Sequence, residues 1–362
     1  MQFYKCFILT LIIAGFQLLM AKEDSTKLSS RLIIPVAYYT PETKISAGLG
    51  WMQVFRMQAD SNVKPTDTYS SFIRGKALLS QTGQYNIEGS LTLYTPGNKY
   101  FIEEVFEYSF VPLPFYGVGN QINPEISEDY SANIFTQNSK LIRKFNSTWF
   151  LGLQQQYKRF SLKEVEPNGI LENGTVGSEG GITSGLGAVF RRDSRDNVNS
   201  SYQGSLVNLE WISYQSIFGS DFNFNHFLLD YRQFIELKKE KLIFAYQARA
   251  SFNFGAVPFY KLSMLGGDQF MRGYFWGQYR DKHFNMIQAE IRQFYNPYIS
   301  AAAFVGIGNV FNSIDNIEAN SMKYSIGGGF RFTPPDTDRL SIRLDFAYGN
   351  DFYWYFTIAE AF

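Results

Sequence analysis

One arginine in a glycine-rich segment is the residue whose type and setting most clearly predict a specific chemistry. Arg272 lies in the segment 265–274, which reads LGGDQFMRGY. A guanidinium group is always charged and presents a planar fork of donors, so it binds carboxylates in a defined, bidentate geometry. The segment belongs to a stretch without strand alternation, 257–283, and an alternating stretch, 285–294, follows directly. We therefore expect a loop that has a fixed position inside a β-structure.

Patterns that would indicate catalysis or metal binding are weak in the rest of the chain. The two histidines, His226 and His283, lack the spacing of a zinc site or of a catalytic triad. The adjacent carboxylates of Glu103 and Glu104 would face opposite sides of a strand. A formal net charge of zero and the lack of a basic stripe argue against nucleic acid as a partner. We expect a protein that is not an enzyme and that has no cofactor and no metal.

The N-terminal residues predict export. Lys5 precedes an apolar run of about 14 residues, 7–20, which ends at the small Ala21. This run is shorter than the ~20 residues of a membrane-spanning helix and fits a secretory signal peptide over 1–21. An N-terminal anchor helix is the alternative. Cleavage after Ala21 would remove Cys6, the one cysteine, and leave a single domain over 22–362.

Strand alternation and aromatic content predict a transmembrane barrel rather than a secreted soluble β-protein. The 35 Phe and 24 Tyr suit a lipid-facing band with aromatic girdles. The segment 340–348 places apolar residues on one face and Ser341, Arg343 and Asp345 on the other, which would face a lumen. We predict an all-β, antiparallel transmembrane barrel of about sixteen strands. The predicted strands cover 31–40, 44–57, 68–80, 84–95, 100–110, 129–143, 147–162, 180–191, 203–217, 221–235, 241–253, 284–295, 298–311, 321–332, 338–348 and 352–362.

The C-terminal segment resembles the sorting signal of outer-membrane barrels. Phe362 is preceded at two-residue steps by Glu360, Ile358, Phe356 and Trp354. We expect Trp354, Phe356, Ile358 and Phe362 to lie on one face of the last strand and to close the barrel. Glu360 departs from the apolar residue that is often found at its position.

Four stretches together resemble the BamA/TamA superfamily of outer-membrane assembly factors, also called the bacterial surface antigen family. They are IPVAYYTPET at 34–43, FYGVGN at 115–120, RDSRDN at 192–197, and the RGY triplet Arg272, Gly273 and Tyr274. The resemblance is to a short, barrel-only member without periplasmic POTRA domains. It implies that the long loop folds into the lumen, where Arg272 pairs with acidic residues of the inner wall.

The resemblance also directs attention to the wall partners of that arginine. Alternation places Glu290 inward, and Asp345 is a second candidate by the same reasoning. The Phe-x-Asp-x-Gly pattern of the family matches 304–308, but Gly306 stands where the acid is expected. We therefore expect the lock to depend on Glu290. Asp193 and Asp196 are interpreted as ordinary turn residues, because Asp favours tight reversals.

The family implies a function in inserting or exporting outer-membrane proteins or lipids of a Gram-negative bacterium. Its partners would be the lipid of the outer membrane, unfolded barrel proteins or lipids as clients, and a periplasmic protein that captures those clients. A weakly paired seam between 31–40 and 352–362 could then template a client strand. A passive or loop-gated pore is the alternative function, and a surface adhesin or structural barrel is the third.

Overall fold

The computed structural model describes residues 29–55, 57, 68, 70–123, 125–167, 169–172, 174–313, 315, 319–335 and 337–362. The predicted signal peptide, 1–21, lies outside these residues. Within the described part of the chain, no helix is long and apolar enough to cross a membrane.

Sixteen antiparallel strands form a closed barrel, which confirms the predicted fold. Each wall strand pairs with the next one in the chain, except that a long loop separates β11 from its neighbour β14. Two short strands, β12 and β13, pair with each other inside that loop. The elements are β1 (Ser29–Thr40), β2 (Lys44–Phe55), β3 (Ser71–Ser80), β4 (Tyr85–Tyr94), β5 (Tyr100–Phe115), β6 (Glu128–Lys144), β7 (Trp149–Glu164), β8 (Gly181–Asp193), β9 (Gly204–Tyr214), β10 (Phe224–Lys238), β11 (Leu242–Gly255), β12 (Ser263–Leu265), β13 (Tyr279–Asp281), β14 (His283–Phe294), β15 (Ile299–Phe311), β16 (Lys323–Phe332), β17 (Ile342–Tyr348) and β18 (Phe352–Ile358).

The period-2 pattern of the sequence separates the two faces of the wall. In β17, Phe346 and Tyr348 are exposed on the outer face, whereas Arg343 and Asp345 are buried on the inner face. Apolar side chains are similarly exposed along the other strands, as at Leu49 of β2. The outer surface is therefore a lipid-facing apolar band, and the lumen is polar and charged.

The two ends of the barrel differ in the length of their connections. The end at which β1 begins and β18 stops carries the short turns 145–148, 239–241 and 295–298, together with the longer turns 194–203 and 333–341. The opposite end carries the long loops 116–127, 165–180 and 256–282, together with the short turns 41–43, 81–84 and 349–351. In outer-membrane barrels short turns face the periplasm and long loops face outward, which orients the molecule.

β5 is longer than predicted, and its two prolines explain how the extra residues fit. The predicted strand stops at residue 110, but β5 continues to Phe115 in pairing with β6. The partner on its other side, β4, ends at the pair Tyr85–Phe110, so the extension has one free edge. Pro112 and Pro114 lack an amide N–H and are tolerated in a strand where that edge is unpaired.

Candidate functional site: the luminal loop and the barrel seam

The loop 256–282 folds back into the lumen. Its first turn, Phe259–Lys261, packs in a buried aromatic cluster with Phe115, Tyr130 and Phe160 of the wall. Deeper in the lumen the chain reverses sharply, with positive φ angles at Gly266, Gly267, Met271 and Gly273. At Gly273, with φ of 101°, a Cβ atom would lie 2.6 Å from the backbone nitrogen of Gly349. Only glycine therefore fits this approach of loop to wall.

Arg272 lies at the deepest part of this reversal and is fully buried. Its Nη2 donates a hydrogen bond to Oε2 of Glu290 on β14 at 2.8 Å, and its Nη1 donates to Oδ2 of Asp345 on β17 at 2.5 Å. The guanidinium carbon lies 3.4 Å from the centroid of the Phe304 ring, a cation–π contact. Arg272 thus joins the loop to three wall strands, β14, β15 and β17.

Arg272 belongs to a larger buried network of alternating charge. Arg331 of β16 donates to Asp345 at 2.6 Å and to Glu290 at 3.2 Å, so it bridges both partners of Arg272. The network contains four guanidinium groups and four carboxylates, those of Arg272, Arg292, Arg331, Arg343, Asp268, Glu290, Asp345 and Glu360. Its formal charge is therefore zero. Eight charged groups can be buried together because each is compensated by groups of opposite charge.

The side chains of this network are engaged in holding one another in place. Each of its four carboxylates accepts a hydrogen bond from at least one arginine, so none is free to act as a general base. Among the described residues, no group of three or more His, Cys, Asp and Glu side chains could hold a metal ion. The arrangement holds a loop in place, and a conformational role fits it better than a catalytic one.

Gly306 shows how the wall accommodates the loop without the acid of the family pattern. A Cβ atom at Gly306 would lie 2.9 Å from the sulfur of Met271, the residue that precedes Arg272. The glycine therefore leaves room for the Met271 side chain. Asp345, two strands away, supplies the second carboxylate. Both candidates from the sequence, Glu290 and Asp345, contact Arg272.

The neighbours of Arg272 tie the loop to both sides of the barrel closure. The backbone N–H of Gly273 donates to the hydroxyl of Tyr355 on β18 at 3.1 Å. The N–H of Trp276 donates to Oε1 of Glu42, in the turn after β1, at 2.7 Å. Burial raises the pKa of the Glu42 carboxyl. Tyr274, the third residue of the triplet, donates from its hydroxyl to the carbonyl oxygen of Tyr324 on β16 at 2.8 Å.

The closure between β1 and β18 is the weakest pairing in the barrel wall. It consists of one bridge pair, Tyr39 with Phe356, whereas β1 pairs with β2 over its whole length from Ser29 to Thr40. The Tyr39 ring also stacks on Trp354, with centroids 3.6 Å apart. The outer edge of β1 before Tyr39 therefore lacks a strand partner among the described residues. We refer to the β1–β18 junction as the seam.

The residues predicted to close the barrel separate into two groups. Trp354, Phe356 and Ile358 lie on β18 with their side chains toward the lipid face. Phe362 does not continue that strand. β18 ends at Ile358, and Ala359 has a φ of 76°, which directs residues 359–362 inward. The prediction of a strand over 352–362 is wrong at this end.

Glu360 gives the physical reason for this inward turn. Continued alternation would place its carboxylate on the lipid face, where a charge is destabilising. Instead, Oε2 of Glu360 accepts a hydrogen bond from Nε of Arg331 at 3.3 Å. The carbonyl oxygen of Phe362 accepts one from Nη2 of Arg292 at 3.1 Å, and its ring packs near Phe234. The tail 359–362 thus joins the network that holds Arg272.

Two periplasmic turns contact each other across the mouth of the barrel. Asp193 pairs with Arg195 at 2.9 Å within its own turn, in agreement with simple turn chemistry. Asp196 does more, because its Oδ2 accepts a hydrogen bond from Nη1 of Arg339, in the turn between β16 and β17, at 2.6 Å. Burial raises the pKa of Asp196, but bonds from Arg339 and from two backbone N–H groups lower it overall.

Alternation in the sequence places Arg343 and Arg292 on the inner face, but sequence reasoning missed other residues of the site. Arg331 shares the inward parity of its strand, so alternation could have found it as a wall cation. The Asp196–Arg339 contact links residues 143 positions apart. Its only advance signal is that both turns, 194–203 and 333–341, are longer than the other periplasmic turns of the C-terminal half.

Known structures share this fold at low sequence identity. BamA from Haemophilus ducreyi, in a crystal structure lacking POTRA domains 1–3, aligns with a TM-score of 0.63 and 14% identity, covering 92% of this chain and 70% of that chain. CdiB from Escherichia coli gives a TM-score of 0.62 and 12% identity over 92% of this chain and 63% of that one. CdiB from Acinetobacter baumannii gives 0.58 and 13% over 91% and 59%. The chain thus spans less than two thirds of either CdiB chain.

The sequence itself carries the family assignment. No curated protein sequence matches the chain significantly. The profile of the Omp85 superfamily domain, however, matches residues 80–362, which include most of the barrel, the luminal loop and β18. This barrel fold implies a place in the outer membrane of a Gram-negative bacterium. The chain belongs to the Omp85 superfamily.

Proposed function

We propose that this barrel assists the insertion or export of outer-membrane proteins by opening at the seam. The observation that carries the proposal is the single bridge pair between β1 and β18. A backbone hydrogen bond contributes a net ~0.5–1.5 kcal/mol, so one bridge is a small barrier compared with the seven-pair ladder between β17 and β18. An opened seam would present the edge of β1 to an extended client segment, which could add as a strand.

The luminal loop would control this opening. Gly273 and Trp276 hold Tyr355 and Glu42, which lie on opposite sides of the seam. The buried position of Arg272 keeps these contacts in register. We propose that a periplasmic partner protein delivers the unfolded client to the seam. A lipid client is the alternative cargo for the same opening.

A reversible disulfide across the seam tests the proposal. Tyr39→Cys and Phe356→Cys place thiols at the bridge pair, in a chain whose Cys6 is replaced by serine. The matched control places the same lock at Leu49 and Ala77, a pair inside the β2–β3 ladder. The clients are identified first, by depleting the protein while the host's full-length assembly factor is left intact. Quantitative proteomics and lipid analysis of the outer membranes then show which components fall.

We expect the seam lock to reproduce the depletion phenotype, a fall in several barrel proteins or in a surface lipid. Reduction of the disulfide should restore the envelope, and the control lock should have no effect. If depletion changes the envelope but the seam lock does not, this result would contradict opening at the seam. An envelope unchanged by depletion would contradict the assembly function itself.

The alternative function, a loop-gated pore, has one observation in its favour. The loop does not fill the lumen, and a chamber of about 430 Å³ lies between it and the wall formed by β1 to β7. Deletion of 258–282 should raise single-channel conductance sharply if the loop limits a pore. Conductance that stays unchanged after the deletion would exclude this function.

A further inference from the structure

The chamber beside the luminal loop has the size of a small-molecule site. Its volume of about 430 Å³ lies within the ~300–1,000 Å³ of ligand pockets. Inward residues of β1 to β7 form one side, and loop residues that include Tyr260, Met264 and Arg280 form the other. A second chamber of about 320 Å³ adjoins it and shares Trp276.

Several residues that line the larger chamber carry unsatisfied polar atoms. Four of its lining side chains have a buried atom without a hydrogen-bond partner in the described part of the chain: Oγ of Ser46, Oδ1 of Asn86, the hydroxyl of Tyr260 and Nη1 of Arg280. Arg280 is only 2% exposed, and its Nε and Nη2 both donate to the carbonyl oxygen of Gly277. A buried polar atom without a partner is destabilising. Three of the four are donors, the hydroxyls of Ser46 and Tyr260 and Nη1 of Arg280, and they favour a bound group that accepts hydrogen bonds.

The charges around the chamber select an anion. Arg280 and Lys158 of β7 both line it, and neither has a carboxylate within ion-pair distance in the described ranges. A third lining cation, Lys76, is neutralised by Glu88 at 2.7 Å. The carboxylate of Glu107, which accepts a hydrogen bond from Asn86, offsets one of the two unpaired cations. The formal balance is therefore one positive charge.

The remaining lining is mixed. Thr43, Ser80, Gln84, Ser109 and Thr136 are polar, and one apolar patch consists of Leu78, Val111, Leu113, Ile134, Phe160 and Met264. An apolar patch is unusual on the inner face of a barrel, where polar side chains are the rule. Such a surface can bury hydrocarbon next to the cationic group.

We propose that this chamber binds an amphiphilic monoanion, a carboxylate or phosphate that carries a short hydrocarbon chain. The headgroup lies between Arg280 and Lys158, because a guanidinium and an ammonium together suit an oxyanion. The Tyr260 hydroxyl and the free Nη1 of Arg280 supply hydrogen bonds, and the hydrocarbon lies against the apolar patch. The inference of this site does not rest on the seam or on the function proposed above.

Isothermal titration of the protein in nanodiscs with octanoate tests the site, with empty nanodiscs as the reference. Acetate provides the headgroup without the chain, and octyltrimethylammonium provides the chain with the opposite charge. Lys158→Gln is the principal variant. Lys158 makes no ion pair with the described residues, so its replacement breaks no ion pair of the wall. Arg280→Gln is the second. Lys140→Gln is the matched control, a luminal lysine that pairs with Glu210 and does not line the chamber.

We expect saturable 1:1 binding of octanoate that weakens at least tenfold in Lys158→Gln and in Arg280→Gln and is unchanged in Lys140→Gln. Acetate should bind at least tenfold more weakly, and octyltrimethylammonium should not bind. No saturable binding beyond that of empty nanodiscs would overturn the proposal and leave a chamber filled by water. Equal binding of octanoate to Lys158→Gln, or of acetate and octanoate to the unmodified protein, would also overturn it.

Discussion

Replacement of Arg272 by alanine should release the luminal loop without unfolding the barrel. The substitution removes the buried guanidinium from Glu290 and Asp345 and leaves three arginines facing four carboxylates. Loss of one partner of a buried ion pair destabilises by roughly 3–5 kcal/mol. Both carboxylates retain other arginines, such as Arg331 at 2.6 Å from Asp345, so we expect the lower end of that range.

A change of about 3 kcal/mol corresponds to roughly a 100-fold shift in the equilibrium between the bound and the released loop. Limited proteolysis and hydrogen exchange of residues 257–283, in nanodiscs, measure that shift directly. The electrophoretic mobility of the unheated protein reports whether the barrel remains folded. Arg232→Ala is the matched control, because Arg232 is a luminal arginine that pairs with Asp230 on its own strand, at 2.8 Å.

The expected result is faster cleavage and exchange in 257–283 for Arg272→Ala alone, with the folded mobility retained in both variants. Equal loop protection in Arg272→Ala and in the unmodified protein would refute the inference that the network holds the loop. Loss of the folded mobility in Arg272→Ala would show instead that the network is needed for the barrel itself.

Three further predictions concern the loop, the tail and the periplasmic turns. Gly273→Ala should expose the loop to protease, since its φ and the contact with the wall both exclude a Cβ atom. Glu360→Ala should release the tail 359–362 from Arg331, and a cysteine placed at residue 361 would then react faster with a soluble maleimide. The folded pKa of Asp196 lies below its ordinary value of 3.8, so its contact with Arg339 stabilises the turns at pH above that value. That stabilisation should be lost as the pH falls through the folded pKa. Hydrogen exchange of 194–203, corrected for its intrinsic pH dependence, should show this loss in the unmodified protein and not in a variant that lacks Asp196.

Local alternation predicted those parts of the fold that depend on neighbouring residues. The two faces of β17 follow directly from the order of Arg343, Leu344, Asp345 and Phe346 in the sequence. The same rule placed Glu290 and Asp345 on the inner wall, where the structure has them. The number of strands followed from similar local signals.

Contacts between distant segments could not be predicted in this way. The bridge from Arg331 to Glu290 and Asp345 depends on how three strands are ordered around the lumen. The inward turn at Ala359 depends on a positive φ that no local pattern indicates. It also depends on Arg331, which lies in the lumen and donates a hydrogen bond to Glu360. Pairwise geometry across the barrel, rather than periodicity, determines these features.

The two hydrogen bonds that tie the loop to Tyr355 and to Glu42 create a thermodynamic linkage between the lumen and the membrane-facing wall. If opening of the seam breaks these bonds, then binding at the open edge of β1 and release of the loop must favour each other by the same free energy. Any molecule that stabilises the loop in its luminal position then lowers the affinity of the barrel for a ligand that binds the open edge of β1. Loop protection can therefore serve as a measure of seam occupancy at a distance.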